Sequence, residues 1–120
     1  MEQLRQLGSF IADLKFSDVP ENVRQAALLH VLDTIGAAVG GAGEAQAGRI
    51  REKWLAMNPA GQISVWGSGQ KTAAGPAAFL NAMAGHTLEM DDVHTRSKTH
   101  IGTVVVPAAW AAAEYGKKSG

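Results

Sequence analysis

Three of the four histidines in this 120-residue chain fall within fifteen residues together with three acids. The run is His86-Thr87-Leu88-Glu89-Met90-Asp91-Asp92-Val93-His94, then Thr95-Arg96-Ser97-Lys98-Thr99, then His100-Ile101-Gly102. Imidazole is the side chain whose ordinary pKa lets it gain or lose a proton near neutral pH, so histidines beside carboxylates suit proton-transfer chemistry. His100 is the foremost candidate. It precedes Gly102-Thr103 and the start of a helix, where free N–H groups and the helix dipole favour an anion such as a carboxylate. An anionic substrate would meet its proton donor there; the competing reading is that His100 caps a loop. Asp91 and Asp92 also carry two readings. They form an acidic turn that bonds nearby amides, or one orients a base or binds a substrate hydroxyl while the other braces the loop.

The neighbouring residues extend the site. Glu89 lies three positions after His86, so the two share a face if the helix persists. His94 is either a second polar wall or a surface residue. Arg96 and Lys98 are candidates to hold substrate carboxylates, arginine through two parallel hydrogen bonds, against a purely solubilising role. A metal site is the sharpest competitor, because Asp92, His94 and His100 offer oxygen and imidazole ligands at loop spacing. That spacing fits no strong motif, with neither His-Glu-x-x-His nor a cysteine pair, so no metal and no cofactor is expected.

Whole-chain features exclude other classes. There is no cysteine, which removes disulfide scaffolds, Fe–S clusters, thiolate zinc sites and cysteine nucleophiles. No P-loop, dinucleotide fingerprint or Gly-x-Ser-x-Gly elbow is present, which argues against nucleotide binding and serine hydrolysis. Eleven Lys and Arg against eleven Asp and Glu give a net charge of +0, unlike a nucleic-acid binder. The opening residues lack a secretory pattern. The most apolar stretch, 26–39, is interrupted by His30, Asp33 and Thr34 and is shorter than the roughly 18 to 20 apolar residues a bilayer crossing needs. A cytoplasmic protein with no membrane contact is the expectation.

The elements that must position these residues are mostly helices. Leu4, Leu7, Phe10, Ile11 and Leu14 recur at three- and four-residue steps, which predicts an amphipathic helix over 2–15 in need of a partner face. After Ser17-Asp18-Val19-Pro20, a second helix runs to about Val39, apolar nearly all round except for His30, Asp33 and Thr34. It is expected at the centre of the core and stopped by Gly40-Gly41. A third helix spans 44–57, a turn follows at 58–61, and 63–67 alternates as one short extended segment. Ser68 to Lys71 reads as a polar loop. A fourth helix is expected from near Pro76 to about Leu88 and a fifth over roughly 104–115, capped by Gly116. The fold class is therefore all-α, about five helices with one short extended segment, in a single domain. The apolar second helix and the alanine-rich stretches also lead to an expectation of self-association.

The run 77–94, with Asn81, His86, Glu89 and Asp91-Asp92, followed by His100-Ile101-Gly102 and Val106-Pro107-Ala108-Ala109, resembles the MmgE/PrpD family. Weaker similarity lies in 27–36 and in Val65-Trp66-Gly67. The resemblance implies cofactor-independent chemistry on a small polycarboxylate, as in 2-methylcitrate dehydratase, cis-aconitate decarboxylase and iminodisuccinate epimerase, in a homodimer. It implies that residues 1–120 are the N-terminal portion of the family's large helical domain, with the smaller lid domain absent from this chain. Carried over by position, the family's acidic site residue falls on Glu89, its paired acids on Asp91 and Asp92, and its loop histidine on His100. Glu89 where Asp is usual, Ile101 where Pro is usual and Val93 where Thr is common point to a branch with its own substrate. Dehydration or decarboxylation is the first expectation, with epimerisation or a non-catalytic helical dimerisation module as alternatives.

Overall fold

A computed structural model describes residues 1–58 and 61–118. Pro59 and Ala60 of the expected turn, and Ser119-Gly120 at the end, lie outside the described residues. The elements in chain order are α1 (Glu2–Asp13), a 3-10 turn at Phe16–Asp18, α2 (Glu21–Ala42), α3 (Ala45–Met57), β1 (Ile63–Val65), β2 (Gln70–Thr72), α4 (Ala74–His86) and α5 (Ile101–Tyr115). Among the described residues the fold is mostly helical, five helices with one small hairpin. No single helix among the described residues is long and apolar enough to cross a membrane.

The hairpin enlarges the one expected extended segment. β2 takes up the end of the expected polar loop and pairs antiparallel with β1, Ile63 opposite Thr72 and Val65 opposite Gln70. Gly67 (φ 70°) and Gly69 (φ 68°) supply the left-handed backbone that reverses the chain. The outer edge of β1 is closed by helix side chains. Asn81 of α4 accepts the Trp66 N–H at 2.9 Å and donates to the Ser64 carbonyl at 3.0 Å, while Glu114 of α5 accepts the Ser64 N–H at 2.7 Å and the Trp110 Nε1–H at 3.0 Å. Burial acts to raise the Glu114 pKa, but these hydrogen bonds, with Lys71 nearby, outweigh it and hold the carboxyl below its ordinary value.

The central helix is α4, in place of the expected second helix. α4 packs on α2, α5, α3 and β1, and buries Ala77, Leu80, Asn81, Ala84 and Gly85. α2 is buried only through Thr34, Ala38, Gly41 and Ala42, all in its second half. His30, in the narrow polar strip of this helix, is exposed. Gly40-Gly41 does not stop α2, which continues to Ala42. The glycine serves a close helix contact instead, since a Cβ on Gly41 would collide with the Ala84 carbonyl of α4. On α5 the boundary also moves: the helix starts at Ile101, three residues before the expected position, so His100 is its N-cap.

α1 has the expected apolar stripe, yet none of its residues is buried. Its partner face does not lie among the described residues. The Cα radius of gyration is 15.6 Å, above the roughly 14 Å of a compact domain of this length, as a helix standing off the body requires.

Two glycines of α2 separate packing from propensity. Gly36 has open space around its Cβ position, so Gly36→Ala is expected to stabilise by about 0.5–1 kcal/mol through helix propensity. Gly41→Ala should destabilise by about 1–3 kcal/mol or more, because the added methyl meets backbone. Urea unfolding of the two variants checks this; equal effects would show that α2 and α4 are not in close contact.

Candidate active site

The link between α4 and α5 is held by one carboxylate. Asp91 has its side chain only 1% exposed and accepts from three donors. His86 Nδ1, at the last position of α4, lies 3.0 Å from Oδ1 and 3.1 Å from Oδ2. His100 Nδ1 lies 2.9 Å from Oδ2, and the Thr103 hydroxyl donates to the same oxygen at 3.0 Å. An ionised carboxylate only accepts, so each imidazole carries a proton on Nδ1, which leaves Nε2 of His100 as the free nitrogen. The two rings meet edge to face with centroids 4.8 Å apart.

These contacts set the protonation states. The hydrogen bond and charge of Asp91 raise the His86 pKa above 6.5, with Glu89 adding to the effect against a smaller desolvation loss. For Asp91, burial alone would raise the pKa, but the hydrogen bonds from His86 and Thr103 outweigh it and hold the carboxyl below its ordinary value. Glu89 takes a left-handed backbone (φ 52°) just past the helix end, and its Oε1 lies 3.5 Å from His86 Nε2. α4 ends at His86, earlier than the expected Leu88, so the pair meets across a turn and not along one helix face.

Asp92 faces elsewhere. Its Oδ1 accepts the Gly102 N–H at 2.8 Å, capping α5, and its Oδ2 lies 3.7 Å from His30 Nδ1 of α2. Gly102 has no room for a side chain: a Cβ there would approach Asp92 Oδ1 to 2.5 Å and Thr34 Oγ1 to 2.6 Å. The expected free amide for a bound anion is therefore corrected at Gly102, where the protein's own carboxylate occupies it.

The outer loop residues stay on the surface. His94 pairs with Thr99 across a narrow loop neck and bonds Ser97 through Nδ1 at 2.8 Å. Arg96 is exposed at the loop tip. Lys98 (φ 55°) lines a cavity of about 390 Å³ with Ala82, His86, His100, Thr103 and Val104. A larger groove of about 640 Å³ between α2 and α5 has His30, Asp92 and His94 at its polar end, but Val105, Val106 and Trp110 make it chiefly apolar. The smaller cavity is the one lined by both His86 and His100.

The structure thus gathers Asp91, His100 and Lys98 from the expected set and separates Asp92, His94 and Arg96 from them. It adds His86 and Thr103. Thr103 follows the N-cap His100 by three residues, a same-face spacing legible only once the helix start is placed at Ile101. His86, Asp91 and His100 are also the one group among the described residues whose donor atoms, within 4.8 Å of one another, are close enough to share an ion. The expected competitor used His94, which is not in this group. As arranged, the three form a hydrogen-bonded cluster, and a bound cation would have to displace the Nδ1 protons.

The chain matches the MmgE/PrpD N-terminal domain over residues 5–120. It belongs to the MmgE/PrpD family. Among curated relatives of this MmgE/PrpD domain is the cis-aconitate decarboxylase of Aspergillus terreus, 30% identical over 109 residues, covering 91% of this chain and 22% of the relative. A cis-aconitate decarboxylase-like protein, oryM, of Aspergillus oryzae is 31% identical over 113 residues, covering 94% of this chain and 23% of its own length. The domain therefore spans less than a quarter of these relatives. No solved structure gives a significant match.

The Asp91 cluster has a defined pH signature. His86, with its pKa raised, contributes stability that is complete below 6.5 and lost as pH rises through its folded value. Asp91, with its pKa lowered, contributes stability that is complete above 3.8 and lost as pH falls through its folded value. The gap in unfolding free energy between the native protein and Asp91→Asn should therefore be widest between these two ordinary values and close on either side. Urea titrations extending below and above that range test it; a gap that stays constant on both sides would mean the cluster is not charged.

Proposed function

We propose that this domain supplies the acid/base groups of a cofactor-independent lyase that dehydrates or decarboxylates a small polycarboxylate. The observation that carries the reading is the His100 imidazole, fixed through Nδ1 on a buried carboxylate with Nε2 free, in a family with cis-aconitate decarboxylases. A histidine fixed this way is a single tautomer with its lone pair aimed outward, the requirement for a general base. In dehydration, Nε2 removes the proton beside a substrate carboxylate and passes that proton to the departing hydroxyl, which leaves as water as the double bond forms. In decarboxylation, the electrons of the breaking C–C bond stay on carbon as carbon dioxide departs, and His100, having taken up a proton at Nε2 from solvent, gives it to that carbanion.

In this reading the remaining candidates divide by position. Asp91 orients the histidines, Asp92 holds the start of α5, Lys98 takes a substrate carboxylate, and Glu89 stands at the exposed side of His86. Arg96 and His94 are too peripheral for the first contacts. A second reading, a helical dimerisation module in a cytoplasmic protein, draws on the exposed Leu4, Leu7, Phe10 and Ile11 of α1 and Leu28, Leu29 and Leu32 of α2.

Turnover of cis-aconitate or 2-methylcitrate, measured in a protein of the relatives' length carrying these residues, should fall by on the order of a hundredfold or more in His100→Ala. Undiminished turnover would remove His100 from the mechanism. The 120-residue chain by itself is expected to turn over neither acid. Protein purified without added metal should contain far less than one equivalent of zinc, iron or manganese; stoichiometric metal lost together with His86 or His100 would replace the acid/base reading with a metal-assisted one.

A further inference from the structure

We propose that His86 is a positioning residue of this site, acting on His100 through the single carboxylate of Asp91 that the two imidazoles share. The inference rests on the reading of His100 as the acid/base group. The sharing is unequal in a way that matters. His86 spans both carboxylate oxygens, at 3.0 and 3.1 Å, whereas His100 and Thr103 both bond Oδ2. Oδ1 has His86 as its side-chain donor. Without His86 that buried oxygen loses its partner, and the carboxylate gains a reason to rotate away from the geometry that fixes His100.

Charge gives His86 a second effect on its neighbour. One carboxylate between two imidazoles balances one additional proton, and two charged rings with centroids 4.8 Å apart would repel. The groups around the cluster assign that proton to His86. Glu89 lies 3.5 Å from its Nε2, and the ring sits at the C-terminus of α4, where the helix dipole favours a cation. Around His100, the facing groups are Asp91, the Thr103 hydroxyl of α5 and Lys98 across the shared cavity; Asp92, with His30 of α2 beside it, is turned to the Gly102 amide. The raised His86 pKa agrees with this division. His86 holds the resident positive charge, which leaves His100 as the imidazole free to change protonation during a reaction. Two chemically identical side chains are given different duties by their surroundings.

Coupling of this kind is visible by NMR without any turnover. The His100 Cε1–H resonance, followed on the 120-residue chain as pH is raised through neutrality, should show an inflection at the midpoint of His86. His86→Gln should abolish that inflection with the amide spectrum otherwise retained, since the His86 side chain is half exposed. Asp91→Asn, which keeps both rings, should abolish it too. A His100 resonance unchanged by His86→Gln, or an inflection that survives Asp91→Asn, overturns the proposal. In a protein of the relatives' length, His86→Gln should lower kcat by about tenfold with KM within about twofold and shift the pH profile, as expected when an orienting partner is lost. A raised KM with kcat intact would place His86 in substrate binding and overturn the positioning role. If His100→Ala leaves turnover undiminished, the acid/base reading fails, while the resonance coupling still decides for or against the link between the rings.

Discussion

Helices approach until backbone meets backbone only where side chains are nearly absent, and α4 meets both neighbours at such places. Gly41 of α2 faces the Ala84 carbonyl, and a Cβ on Gly85 would lie 2.9 Å from Thr103 of α5 and 3.8 Å from Ala38 of α2. The three helices therefore cross at almost one point, and the end of α4 lies beside the start of α5. The loop joining them has to fold back over this crossing. Asp91 is the residue it buries there, and Thr103 serves both purposes, its methyl against Gly85 and its hydroxyl on the carboxylate.

A buried carboxylate left alone costs on the order of several kcal/mol, and its partners must return that amount. Each hydrogen bond to a charged group contributes about 1.5–3 kcal/mol, so three donors suffice where one would not. The cluster is consequently a unit: losing any donor leaves the acid underpaired in a place water does not reach. Asp92 solves the same problem differently, through the first turn of α5, where the amide of Gly102 and the helix dipole meet it. Adjacent acids thus tie the loop to α4 on one side and to α2 and α5 on the other.

Much of this was legible in the sequence because periodicity and turn chemistry are local. The five helices, an extended segment within 63–67 and the concentration of ionisable groups over 86–100 all follow from spacing. What local pattern could not show was which small residues are contacts and which are stops. Gly40-Gly41 has the signature of a helix end, but only tertiary packing reveals that Gly41 is there to admit α4. β2 was hidden for a related reason, since Gln70 and Lys71 face solvent and Thr72 alone is buried. At the site, placing the start of α5 three residues late concealed the shared face of His100 and Thr103. Asp91 to His86, five residues apart across a helix end, matches no regular period.

Charge arithmetic shows which part of the proposed chemistry these residues can perform. The loop carries Glu89, Asp91 and Asp92 against Arg96 and Lys98, and Asp91 and Asp92 are already engaged with His86, His100, Thr103 and the Gly102 amide. Of the two cations, only Lys98 lines the cavity with the imidazoles. An exposed ion pair contributes about 0–1 kcal/mol, so one lysine cannot select a molecule bearing two or three carboxylates from one bearing a single carboxylate. Selectivity for a polycarboxylate then requires further cations, set where they exclude water from the cavity mouth. On the proposed reading, these residues hold and move the proton. The exposed apolar side chains of α1 and α2, Leu7 and Leu29 among them, lie apart from this cluster and take no part in that proton chemistry.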